Sequence, residues 1–183
     1  MKHIYWLLLI LFLTACHDSP TNHPDGQRAI HVQIAHAITR KTAQKIESET
    51  GLRLIGTGGG MMNHVRLMTM SFSCFGEISV DRARELLLYC ASEYLSAINA
   101  SEEIRPYLIH YPFTLKDIEI LIFIRQQDRR EVPIGSLAVA TLINDMLEYK
   151  AEQQEASSFK KIHKETYQEA LQLLHERSPA TPL

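Results

Sequence analysis

The chain reads as an α+β domain, a two-layer sandwich whose antiparallel or mixed sheet of about five strands carries helices mainly on one face. Three observations predict this. Stripes of apolar residues at helical spacing occur near the start, in the middle and at the end of the chain. Strand-like runs fall between them in groups rather than singly, which favours hairpins over a doubly wound parallel sheet. No internal repeat or low-complexity tract interrupts the order helix, two strands, helix, three strands, helix.

One domain is expected over residues 27–177. From Gln27 onward Ile30, Ile34, Ile38, Thr42 and Ile46 recur every fourth residue, with Arg40, Lys41, Lys45, Glu47 and Glu49 mostly elsewhere. That spacing predicts a helix whose stripe belongs to the core, and Gly51 stands where a left-handed residue ends a helix. Residues 52–56 predict a short strand, broken by Thr57-Gly58-Gly59-Gly60, which reads as a flexible hairpin loop. Across residues 65–75, Met68, Met70, Phe72 and Cys74 alternate with Thr69, Ser71 and Ser73, the period of a strand with one face on a core.

Ser79 is placed to cap a helix over residues 80–99, with Asp81 in its first turn. Ala83, Leu86, Leu87, Cys90, Tyr94 and Ala97 or Ile98 form its stripe, and Arg82, Arg84, Glu85 and Glu93 lie off it. Pro106 and Pro112 make residues 100–114 a connector and not one helix. Residues 118–124 are β-branched and apolar, as a central strand requires. Residues 136–143 and 146–151 predict two strands around the tight turn Asn144-Asp145, with a helix over 138–148 as the competing assignment. Ser157 or Ser158 can cap a last helix with Phe159, Ile162, Thr166, Ala170 and Leu173 as its stripe. Residues 178–183 hold two prolines and read as a disordered tail.

The first residues follow a different pattern. Lys2 and His3 precede an unbroken apolar run over residues 4–13, and small residues follow before Cys16. Ten apolar residues suit a secretory signal, whereas a membrane-crossing helix needs about 20. Residues 1–15 are therefore expected to be removed, and residues 16–26, with Pro20, Asn22, Pro24 and Gly26, to serve as a tether. The formal net charge of −2 becomes −3 when Lys2 is lost. Such a charge draws no nucleic acid and gives no electrostatic grip on anionic lipid.

Cys74 and Cys90 then remain, in a compartment that permits disulfides. Cys74 closes a strand and Cys90 lies eleven residues into the following helix, about 16 Å along its axis, so two unpaired buried thiols are expected. Chemistry is sparse elsewhere. Gly58-Gly59-Gly60 lacks the Lys-Ser/Thr and the following helix of a phosphate loop, and no helix opens after it as a dinucleotide fingerprint requires. His31 and His36 are five apart, about 140° around a helix, and no Cys-x-x-Cys or His-Glu-x-x-His occurs. No metal, cofactor or catalytic group is assigned. The segment from Arg105 to Phe113 combines arginine, tyrosine and proline in the manner of binding hot spots. Gly58, Gly59, Gly60, Tyr107 and Tyr111 are thus the expected contact residues for a partner or ligand.

Leu13-Thr14-Ala15-Cys16 resembles the lipobox of bacterial lipoproteins. The resemblance covers the first sixteen residues and implies a lipidated Cys16, a membrane anchor facing the periplasm, and, through His17, the outer membrane of a Gram-negative bacterium. The remaining sequence resembles no functionally characterised family. The expectation is a non-enzymatic interaction or accessory domain that contacts another envelope protein. Two alternatives are a lipid-anchored module holding a small ligand between sheet and connector, marked by a cavity at Met68, Met70 and Phe72, and a hydrolase built on Cys74 or a histidine, marked by a histidine within reach of Cys74.

Overall fold

A computed structural model describes residues 29–154 and 158–177. The expected signal, Cys16, the tether and the tail lie outside the described residues. The elements in order are α1 (Ile30–Thr50), β1 (Arg53–Gly60), β2 (Leu67–Phe75), α2 (Val80–Ala100), a 3-10 turn (Arg105–Tyr107), β3 (Ile118–Arg125), β4 (Leu137–Ile143), β5 (Met146–Glu152), β6 (Phe159–Thr166) and α3 (Tyr167–Arg177). The strands form one six-stranded sheet in chain order. Only β2 and β3 run parallel, with α2 as the crossover between them, and the other pairs are antiparallel. The fold is the expected α+β sandwich with a mixed sheet.

Register places one buried row across the sheet. Met70, Ile120, Phe72, Ile122, Ala140 and Tyr149 pair across β2 to β5, and none is exposed to solvent. They meet Ala35, Ala43 and Ile46 of α1 and Leu87, Cys90, Tyr94 and Ile98 of α2 in one core. α1 packs beside β1 and β2, α2 over β3 to β5, and α3 against β5, β6 and α2. On the opposite face Gly56, Ser71, Leu121, Thr141, Glu148 and Lys164 follow one another strand by strand, and no described helix covers them.

The local signals at α2 and at the β4–β5 hairpin act as expected. Ser79 Oγ accepts the Arg82 N–H at 3.1 Å, and Asp81 lies in the first turn. Asn144 and Asp145 adopt φ of 49° and 69°, the paired positive angles of a tight turn, so the hairpin and not the helix forms there. Gly51 closes α1 at φ 77°. Cys74 and Cys90 are free thiols as expected, but only Cys90 is buried and Cys74 is half-buried.

Four expectations are corrected. Gly58, Gly59 and Gly60 form no loop; they complete β1, paired with Thr69, Met68 and Leu67, and the turn begins at Met61. Backbone hydrogen bonding to β2 outweighs the weak strand preference of glycine. The stretch expected to open the last helix is the sixth strand, and the helix starts at Tyr167. There Thr166 and Glu169 form a reciprocal cap, Thr166 N–H to Glu169 Oε2 at 2.7 Å and Glu169 N–H to Thr166 Oγ1 at 3.2 Å, which fixes the helix start. A one-residue irregularity opposite Tyr149 and Lys150 hides the alternation of β6.

The α1 stripe is also rotated. A four-residue step advances about 400° around a helix, so the row drifts by about 160° from Ile30 to Ile46. Ile30 is accordingly 60% exposed and Ile46 fully buried, while His31, Ala35, Thr39, Thr42 and Ala43 complete the buried face. Lastly, Arg84 does not project to solvent. It is buried and ion-paired with Glu165.

Candidate functional site: the β1 edge and its corner

β1 is an outer strand with β2 on one side, and its residues alternate between the helix-covered face and the uncovered one. Gly56, Gly58 and Gly60 pair with Ser71, Thr69 and Leu67 on the uncovered side, which leaves that strip without side chains. Their sterics differ from that of Gly59. A Cβ on Gly56 or Gly58 would meet Ser71 or Thr69 Cβ at 3.8 and 3.9 Å, ordinary contact distances. Gly59, at φ 150°, would drive a Cβ into the Leu67 carbonyl. Close backbone approach therefore requires glycine at 59, whereas at 56 and 58 glycine leaves space open.

The strand ends in a corner stapled by backbone hydrogen bonds. Arg66 N–H donates to Gly60 O at 2.8 Å, Val65 N–H to Tyr107 O at 2.8 Å, and Ile109 N–H to Val65 O at 3.0 Å. The His31 ring reaches across from α1, with Nε2 2.9 Å from Met61 O and its plane stacked on Tyr107 at 5.7 Å. The structure thus brings the end of the glycine run and the Tyr107 segment together, and adds His31, which the sequence offered only as an unsuited metal ligand. Tyr107 is half-buried in this corner. Tyr111 is 49% exposed, holds Arg105 4.5 Å above its ring, and donates its hydroxyl to Asn99 O at 3.3 Å. Leu108 and Phe113 turn inward and close the end of the core.

Asp117 holds the far side of the connector. Its Oδ2 accepts the Thr114 N–H at 2.7 Å and hydroxyl at 2.8 Å, and lies 2.9 Å from His110 Nε2. The corner is consequently a rigid framework presenting Met62, Ile109 and Tyr111 to solvent.

The marks of the alternative chemistries lie elsewhere. Met68, Met70 and Phe72 are fully buried in the core and line no open groove. A surface groove of about 420 Å³ between α1 and α2 is lined by Ile38, Lys41, Thr42, Glu93 and Ala97 among others. The Lys45–Glu93 ion pair, at 2.7 Å, bridges its two walls. Burial pushes the Cys74 thiol up against a smaller pull from Arg82, and pushes Cys90 up to about 12. Neither is the depressed thiolate that nucleophilic catalysis uses. Among the described residues no group of three His, Cys, Asp or Glu side chains is placed to hold a metal ion. No described helix is long and apolar enough to cross a membrane.

A second polar centre went unnoticed in the sequence. Arg84 Nε donates to Glu165 Oε1 at 2.7 Å and Nη1 to Asp81 Oδ1 at 2.5 Å, while the Tyr149 hydroxyl donates to the same Glu165 oxygen at 2.6 Å. Burial raises the Glu165 carboxyl, but the hydrogen bonds from Arg84 and Tyr149 outweigh it and hold it below the usual carboxylate range. His163 stacks on Tyr149 at 5.6 Å, with Nε2 3.4 Å from the other Glu165 oxygen. Arg84 and Glu165 are 81 residues apart, beyond any local signal. The centre joins α2 to the edge strand β6.

Compared with known proteins, the chain matches no family model, no curated protein and no solved structure.

Proposed function

We propose that the chain is a lipid-anchored, non-enzymatic domain of the bacterial envelope that works by binding another protein. Leu13-Thr14-Ala15-Cys16 supports the anchor through its likeness to a lipobox. The observation that carries the binding role is β1, an outer strand with no neighbour on its second edge among the described residues and with an uncovered side bare at Gly56 and Gly58. Such an edge accepts an extended segment of a partner through backbone hydrogen bonds, with little side-chain obstruction. Tyr107, stacked on the His31 ring that meets Met61 after β1, and the exposed Tyr111 are the further contacts proposed for that partner. The raised thiols of Cys74 and Cys90 favour binding over hydrolysis.

A photo-crosslinking residue at Thr57 tests the reading, with the same residue at Lys161 on β6 as control. Both positions are exposed and both strands are outer strands. The expected result is one partner protein crosslinked from Thr57 in intact envelopes and not from Lys161. A Cys16→Ser chain that captures the same partner would show that the domain selects it; identical products from both reporters would refute the β1 assignment. Tyr107→Ala and Tyr111→Ala with unaltered stability and unaltered capture would remove those two residues from the contact.

A further inference from the structure

Most exposed apolar residues among those described gather at two ends of the sheet, with Ile55, within β1, apart from both. Ile134, Phe159 and Ile162 lie where β4 and β6 begin. Ile30, Met62, Ile109 and Tyr111, exposed by 60, 84, 49 and 49%, lie where α1 begins and β1 ends. The second group sits on turns that are tied together: Met62 follows Met61, whose carbonyl meets His31, and Ile109 is bonded to Val65. Arg66 and Arg105 are exposed beside it. Apolar tips with one tyrosine and flanking arginines match the chemistry of the bilayer interface, where Tyr rings sit at headgroup level and long cationic side chains reach phosphates.

We propose that this end of the domain rests on the bilayer that holds Cys16, with Met62 and Ile109 entering the headgroup region. The inference rests on the anchoring reading above. It commits to a phospholipid surface because of where the chain leaves the domain. From Cys16 to Ala29 are thirteen Cα–Cα steps, which span at most about 45 Å fully stretched. α1 has 21 residues, a length of about 31 Å. The Ile30 end lies at the tether, so it meets the membrane at any extension. The Ile134 end meets it only when most of those steps are pulled taut. Tethering also holds the apolar tips at high effective concentration over the lipid, so weak individual contacts suffice. With α1 standing on its N-terminal end, the free edge of β1 runs away from the membrane and stays open to a partner.

The sequence supplies the means of testing this. Its single tryptophan is Trp6, within the segment expected to be removed, so a Met62→Trp or Ile109→Trp chain carries one reporter after processing. Ile134→Trp, at the opposite end, is the control. The lipidated proteins are placed in phosphatidylethanolamine–phosphatidylglycerol vesicles with and without brominated acyl chains. All three replaced side chains are solvent-exposed, and thermal melting against the parent chain verifies the fold.

Bromine quenching at least several-fold stronger for Met62→Trp and Ile109→Trp than for Ile134→Trp, with a blue-shifted emission, is the expected result. Equal quenching of the three, on protein that floats with the vesicles, overturns the orientation while leaving the anchor standing. A blue shift that depends on protein concentration and ignores bromine assigns the patch to a second copy and also overturns it. Flotation that Cys16→Ser leaves unchanged, or no flotation of the parent chain, overturns the anchoring reading and the orientation with it.

Discussion

β6 carries Lys160, Lys161 and Lys164 along its length, whereas β1 carries Gly56, Gly58, Gly59 and Gly60, and both are outer strands of one sheet. Around β6, Glu148 of the neighbouring strand receives Lys161 at 2.7 Å and Lys164 at 3.3 Å. Hydrogen bonding from Lys161, ahead of the cost of burial, holds the Glu148 carboxyl below its ordinary range. β6 is further bolted to α2 through Glu165 and Arg84. Charged side chains and a strand irregularity are the usual defences of an outer strand against strand addition. β1 has one irregularity, at Leu54/Gly56, and one side-chain cover, the Glu47 carboxylate that accepts the Leu54 N–H at 3.0 Å. From Thr57 to Gly60, Arg66 and Met61 lie against Gly60 and Gly59 at the far end, and Gly58 meets only the Thr69 side chain of its partner strand. Among the described residues, β6 carries these defences and the outer side of β1 largely lacks them.

The largest expected effect comes from unbolting β6. Glu165→Ala leaves the Arg84 guanidinium buried with Asp81 as its remaining carboxylate and should cost about 3–5 kcal/mol in chemical denaturation. A cost below about 1 kcal/mol would mean that the ion pair does not secure the strand. Next, within β1, Gly59→Ala should destabilise by about 2 kcal/mol through strain and the Leu67 carbonyl clash, while Gly58→Ala stays within about 0.5 kcal/mol. Equal costs at the two positions would contradict the distinction between required and space-leaving glycines.

Acid separates the edges again. Glu165 titrates below its ordinary value of 4.5, so the folded state binds its proton more weakly than the unfolded chain does. Its stabilising contribution is complete above pH 4.5 and is lost as pH falls through the lower native value. The urea midpoint should therefore fall below pH 4.5, and Glu165→Gln should flatten that fall even though it lowers stability near neutrality. The smallest effect is expected at the surface of β6. Lys161→Ala should change stability by less than about 0.5 kcal/mol, because the Lys161–Glu148 pair faces solvent. Concentration-dependent light scattering should nevertheless rise, as β6 comes to resemble β1.

The elements with their own local signals were legible in the sequence. Ser79 announced α2, Asn144-Asp145 the β4–β5 hairpin, Gly51 the end of α1, and the alternation from Met68 to Cys74 the buried side of β2. What escaped depends on distant partners. β6 reads as a helix because its apolar residues straddle the boundary at Thr166, although the Thr166…Glu169 spacing could have marked the true helix start. The glycine run reads as a loop because glycine has little strand preference, and only its pairing with β2 makes it a strand. Arg84 reads as solvated because Glu165 is 81 residues away. Of the candidate site, the composition from Arg105 to Phe113 was visible, and the His31 contact that locks its corner was not.

The strand order follows the chain from β1 to β6. No strand has to be inserted between two that have already paired, so each N-terminal portion of the chain ends in an edge that is the template for the next strand. Assembly can therefore proceed by addition at one side, with the β2–β3 crossover as the step that closes the longest loop between neighbouring strands. Growth starts beside β1 and finishes at the lysines of β6. The edge that opens the sheet is then the one that has no neighbouring strand among the described residues.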